Sequence, residues 1–176
     1  HFEHTYGEGP LKNILQTTGA GACFFDADGD GDQDLYLVNG YDSEQVPESR
    51  STNALYRNDG DGHFTDVTAS SGTGDSGFGM GCAAADYDGD DDVDLYVTNY
   101  GPNVLYRNES DVRFTDVGGR AGVDHPDWSV GAAWADYDLD GDLDLFVGNY
   151  LDFSLEESVA RNLVSLHEGF RLYPGP

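Results

Sequence analysis

The 176-residue chain carries 34 acidic residues against 8 basic ones, a formal net charge of −26 at neutral pH. That balance excludes the electrostatic attraction that draws proteins to nucleic acid or to anionic membrane surfaces, and no run of about 18 apolar residues exists to form a membrane-spanning helix. With 38% hydrophobic and 12% aromatic residues, the acidity belongs to a domain with a core and not to a disordered solvating tail.

Residues 1–18 read as an N-terminal segment without a legible signal peptide, the start of a mature product or of a piece of one. His1 and His4 offer copper a chelate, although an arbitrary start to the chain explains them better. A first unit, 19–74, opens with a small apolar strand over 19–25. It runs into a nine-residue acidic cassette, Asp26-Ala27-Asp28-Gly29-Asp30-Gly31-Asp32-Gln33-Asp34. A strand over 35–38, a strand over 54–57, the turn Asn58-Asp59-Gly60-Asp61-Gly62 and a strand over 63–67 complete it.

A second unit, 75–127, repeats this order, with strands over 79–85, 95–98, 104–107 and 113–117. Its cassette holds Asp86, Asp88, Asp90, Asp91, Asp92 and Asp94. A third, 128–153, has strands over 130–135 and 145–147 around Asp136, Asp138, Asp140, Asp142 and Asp144, and lacks the second half. Residues 154–176 form a connector, with a short capped helix over 154–161.

The repeat is metrical as well as compositional. Asn53-Ala54-Leu55-Tyr56-Arg57-Asn58 with Phe64-Thr65-Asp66-Val67 returns as Asn103-Val104-Leu105-Tyr106-Arg107-Asn108 with Phe114-Thr115-Asp116-Val117. Both copies begin 33 residues before the next cassette, whereas the cassettes stand 60 and then 50 residues apart. The difference places a ten-residue insertion within 40–52. Four short strands every 50 to 60 residues predict an all-β fold made of β-propeller blades, each a sheet of four antiparallel strands. Two to three blades make an incomplete propeller, to be completed by more of a longer polypeptide or by assembly through open strand edges.

Carboxylates at positions 1, 3, 5, 7 and 9 of one tight loop suit a hard cation with six to eight oxygen ligands, calcium above all; magnesium, which demands a stricter octahedron, fits less well. Without a cation the same carboxylates repel one another. A helical EF-hand would require Glu at position 12, where this chain has Leu37, Val97 and Val147. Position 9 must therefore close the loop. Side chains of Asp26, Asp28, Asp30 and Asp34 are expected to ligate in the first site, of Asp86, Asp88, Asp90 and Asp94 in the second, and of Asp136, Asp138, Asp140 and Asp144 in the third. Asp32, Asp92 and Asp142 are expected to ligate through their main-chain carbonyls. About three ions result, one per loop.

The small-residue strand, the DxDxDGxxD loop and the following Leu-Tyr/Phe-Val resemble FG-GAP/VCBS repeats, the calcium-bearing blades of the integrin α-subunit propeller. The Leu-Tyr-Arg-Asn and Phe-Thr-Asp-Val half is similar to secreted propellers of the cartilage acidic protein type. The resemblance spans about residues 19–152 and implies a propeller with one calcium per loop. The chain departs from it at position 6 of the second loop, where Asp91 stands for Gly31 and Gly141; Asp tolerates a left-handed backbone less well than Gly.

A calcium-tuned protein of this kind is expected outside the cell or in the periplasm, binding protein or glycan partners as a structural or adhesive module. A lectin, or a polysaccharide lyase-type enzyme, is the alternative. No Ser-His-Asp, Cys-His or three-His arrangement is readable, so an enzyme is not expected. Cys23 and Cys82 sit at different offsets before their cassettes and read as two buried free thiols more readily than as a disulfide. Trp128 and Trp134 read as core residues, with glycan stacking the lesser alternative. Tyr87 and Tyr137 are expected to fold over the acidic loops. His63, His125 and His167 read as surface or turn residues. The insertion, with Tyr41, Glu44 and Arg50 as candidate contacts or as a plain surface loop, should project from the end opposite the cassettes.

Overall fold

The computed structural model describes residues 2–5, 15, 18–40, 51–152, 154, 156, 165–167 and 170–172. Tyr41, Glu44, Arg50 and nearly all of the expected helix over 154–161 lie outside them. Strands β1 (Ala22–Phe25), β2 (Asp34–Leu37), β3 (Ala54–Asn58) and β4 (Phe64–Asp66) form one antiparallel meander. A four-residue helix α1 (Thr68–Ser71) follows. The second sheet repeats it with β5 (Phe78–Ala85), β6 (Asp94–Tyr100), β7 (Val104–Asn108) and β8 (Phe114–Asp116), then α2 (Gly118–Ala121). The third unit is the hairpin β9 (Ser129–Ala135) and β10 (Asp144–Asn149). A separate hairpin, β11 (Ser165–His167) with β12 (Phe170–Leu172), lies in the expected connector.

The expected strands stand in their expected order; the two short helices are an addition. Their cause is the Phe-Thr-Asp-Val motif. The Asp66 carboxylate accepts the Thr68 backbone N–H at 3.0 Å and its hydroxyl at 2.7 Å. Asp116 accepts the Gly118 N–H at 2.9 Å. Each Asp turns the chain out of the fourth strand, and a left-handed glycine, Gly72 or Gly122, ends the helical turn.

The cores lie between successive sheets. Tyr36 of β2, Val38 just beyond it, Leu95 and Val97 of β6 and Tyr106 of β7 form the first. Tyr96, Leu105 and Val117 form the second, with Trp134, Leu145 and Val147 against them. Gly79 is demanded by close approach: a Cβ there would stand 2.3 Å from Val38 Cγ1 and 2.9 Å from the Asn39 carbonyl, which the Gly79 N–H meets at 3.0 Å. The Phe-Gly pair at 78–79 is thus a packing device where the second sheet meets the first.

The two cysteines are bridged, contrary to the expectation of free thiols. Cys23 and Cys82 form a disulfide with their Cα atoms 6.0 Å apart, a separation that suits a bridge. The reason is again close approach. A Cβ on Gly21 would lie 3.0 Å from Gly81 Cα, so β1 and β5 come near enough for the adjacent thiols to meet.

Candidate metal centres in the acidic turns

Each cassette connects the first and second strands of its unit, and its geometry follows from three sets of hydrogen bonds. Position 1 organises the loop. Asp26 accepts the N–H groups of Gly29, Asp30 and Gly31 at 2.8, 3.2 and 2.9 Å. Asp86 accepts those of Gly89, Asp90 and Asp91 at 2.8, 3.1 and 3.0 Å. Asp136 accepts those of Asp140 and Gly141. Position 5 then accepts the N–H of position 7 at 2.8–3.0 Å, in Asp30 with Asp32, Asp90 with Asp92 and Asp140 with Asp142.

Position 9 ties the loop to the sheet. Asp34 accepts the Ala27 N–H on one oxygen and the Asn58 N–H on the other, both at 2.7 Å. Asp94 does the same with Tyr87 at 3.0 Å and Asn108 at 2.8 Å. Asp144 accepts the Tyr137 N–H at 2.8 Å, and among the described residues no third strand pairs with β10 to supply the counterpart of Asn58 or Asn108. Asp34 and Asp94 are fully buried, whereas Asp144 is exposed.

These bonds bring carboxylate oxygens together. Atoms of Asp26, Asp28 and Asp34, of Asp86, Asp88 and Asp90, and of Asp136, Asp138 and Asp144 lie within 4.8 Å of one another in each group. The groups draw on the expected positions 1, 3, 5 and 9. Position 7 stands apart: the Asp92 carboxylate accepts the Ser110 hydroxyl at 2.6 Å, and the Asp32 carboxylate points at the neighbouring turn, 3.0 Å from where a Cβ on Gly60 would lie. Those side chains face the turn between the third and fourth strands, leaving the main-chain carbonyl as the group position 7 has to offer. An all-oxygen donor set of this kind fits calcium, or a similar hard cation.

The acids are uncomfortable as they stand. Burial pushes the Asp34 carboxyl up, against the pull of its two N–H partners. The same cause takes Asp94 up to about 6. Asp28 and Asp88 are raised by burial and then by the neighbouring Asp30 and Asp90. A bound cation would remove that penalty for ionisation.

Positions 4 and 6 both need a left-handed backbone. Gly29, Gly89, Gly31 and Gly141 supply it, but Asp91 does so at φ 73° and Leu139 at φ 63°. The strain expected at Asp91 therefore exists, and Leu139 is a second instance, at position 4, where the other two loops have Gly29 and Gly89.

Position 2 corrects another expectation. Tyr87 does not fold over its loop; it stacks on Trp134 of the next unit, with ring centroids 5.9 Å apart and planes 14° from parallel. Tyr137, at the matching position, is 89% exposed. Trp128 is buried, and Trp134 packs edge-on against Tyr96, so both tryptophans are core residues as expected. His63 and His125 are paired with the nearby Asp61 and Asp127 at exposed turns.

Repeated four-stranded meanders stacked face to face, each with an acidic first turn, define a propeller-type module built from tandem blades. The family model described as FG-GAP-like repeat matches the chain twice, over residues 26–97 and 86–147. The chain belongs to that FG-GAP-like repeat family. No curated protein sequence matches it.

Proposed function

We propose that the three acidic turns each hold one calcium ion and that the chain is a calcium-stabilised binding module working outside the cell or in the periplasm. The convergence of three carboxylates in every turn carries this reading. It is supported by position-1 aspartates already fixed by backbone N–H groups and by position-9 aspartates whose ionised form the protein alone disfavours. The Cys23–Cys82 bridge favours an oxidising compartment, where calcium is also abundant. Among the described residues no helix is long and apolar enough to cross a membrane.

The module reads as a binding or adhesive element for protein or glycan partners and not as an enzyme, since its clustered acids are engaged in turn geometry. A lectin reading would need an exposed aromatic platform. The hollow of about 260 Å³ beside Tyr100, Asp127, Trp128 and Asp152 does not supply one, since Trp128 there is only 1% exposed, and the exposed Tyr137 and Phe146 occupy the positions that Tyr87 and Tyr96 use to pack the next unit. Titration calorimetry on chelator-treated protein tests the metal assignment. Binding of three calcium ions per chain is expected, and an absence of binding at millimolar calcium would overturn it.

A further inference from the structure

The joint between the second and third units shows what a blade of this chain presents to its neighbour. On the trailing face of the second, Tyr87 and Tyr96 receive Trp134 from β9, one ring stacked and the other edge-on. The Trp134 indole N–H also reaches the Ala83 carbonyl at 3.4 Å. The strand contacts of this joint are those of β9 against β5 and β6, with Leu105 of β7 and Val117 packed beside Tyr96 on the same face.

The same positions recur at both ends of the array with their rings exposed. Along the β2, β6 and β10 series, Tyr36 and Tyr96 are 0% exposed, but Phe146 is 72% exposed. At cassette position 2, Ala27 is buried and Tyr87 is stacked, yet Tyr137 is 89% exposed. Phe146 and Tyr137 line a hollow of about 550 Å³ with Ala133, Ala135 and Leu145, and one acid, Asp144, at its rim. At the opposite end, Phe24 of β1 occupies the position of Trp134 in β9, two residues before the cassette, and is 62% exposed.

We propose that the trailing face of β9 and β10 docks the leading face of β1 in a second copy of this chain, with Phe24 entering the hollow between Tyr137 and Phe146 as Trp134 enters between Tyr87 and Tyr96. The occupant is identified by complementarity within the molecule: an aromatic side chain on a small-residue strand, presented at the same offset from an acidic turn. Such an association is head-to-tail, so a pair of copies still keeps one face of each kind free for others. It uses sheet faces, unlike pairing through open strand edges.

Sedimentation velocity over a range of protein concentrations, in calcium-containing buffer, tests this with Phe24→Arg and Tyr137→Arg. Arginine lowers the net negative charge, so any loss of association cannot come from added repulsion. The wild-type chain should show dimers and larger species that grow with concentration. Each variant alone should sediment as a monomer with unchanged circular dichroism. An equal mixture of the two should recover a dimer and nothing larger, because one variant keeps the hollow and the other keeps Phe24.

A wild-type chain that stays monomeric at every concentration overturns the pairing and leaves the face to a further repeat of the same polypeptide. Association that survives either substitution, or a mixture that stays monomeric, overturns it as well. Calcium stoichiometry measured on the same samples keeps this outcome separate from that of the metal assignment.

Discussion

The Asp94 carboxylate accepts the Asn108 backbone N–H at 2.8 Å, joining the end of the second acidic turn to the end of strand β7, 14 residues away. Its other oxygen holds the Tyr87 N–H at the start of the same turn. One side chain therefore fixes both ends of its turn and the neighbouring hairpin.

Asp94→Ala leaves two backbone donors without their partner in a fully buried place. A loss of about 2–4 kcal/mol is expected, at the cost of about 1–3 kcal/mol per unsatisfied donor. Asp144→Ala, exposed and with one such partner, should cost about 1 kcal/mol or less. Urea denaturation in chelator, where metal contributes nothing, measures the difference; equal losses would contradict the role given to Asp94.

Calcium should raise the stability of the whole array. If free calcium exceeds the dissociation constant about a hundredfold, each site adds about 2.7 kcal/mol. Differential scanning calorimetry with and without chelator should show a large drop in Tm on chelation. An unchanged melting curve would refute a structural role for the ions.

The pH response should reverse between the two states. In the metal-free fold Asp94 titrates at about 6, against 3.8 for an ordinary aspartate. The folded state then binds the proton more tightly, so this group's contribution is complete below about pH 4 and is lost as pH rises through about 6. In chelator the urea midpoint should fall between those values, by up to on the order of 3 kcal/mol in stability from Asp94. With calcium the midpoint should rise over the same interval, because the metal requires ionised carboxylates.

Leu139→Gly should stabilise the protein by about 0.5–1 kcal/mol. The residue sits at φ 63° with its side chain 84% exposed, so removing it relieves a left-handed backbone and gives up little packing. Asp91→Gly should gain less, since Asp accepts that conformation more readily. Thermal melts of both variants in chelator decide the order.

Gly79→Ala should destabilise by about 3 kcal/mol, because its methyl group would overlap Val38 Cγ1 and crowd the Asn39 carbonyl. Val38→Ala in the same chain should recover part of that loss; no recovery would mean that the Asn39 backbone is the stronger obstacle.

What could be read from the residues alone was whatever lies inside one repeat. The cassette spacing, the strand order and the carboxylates that converge all follow from a short stretch of chain. Contacts between repeats were not legible. Tyr87 finds its partner at Trp134, 47 positions on, and no periodicity announces which ring a tyrosine will meet. The cysteines were misjudged for the same reason: their unequal offsets obscure the bridge, which depends on how closely Gly21 and Gly81 let two strands approach. The strain at Leu139, by contrast, lies inside one repeat and is legible there: position 4 is Gly29 and Gly89 in the other two loops, the same sign that marks Asp91 at position 6.

The Cys23–Cys82 bridge spans a sequence separation of 59, and so alters how the molecule bears a pull. Tension applied at the two termini passes through the sulfur atoms and bypasses the loop of chain between them, which holds β2, β3 and β4. The joint at Tyr87 and Trp134 has no such shortcut. A stretched molecule would part there first, shedding its third unit while the first sheet stayed tethered to β5.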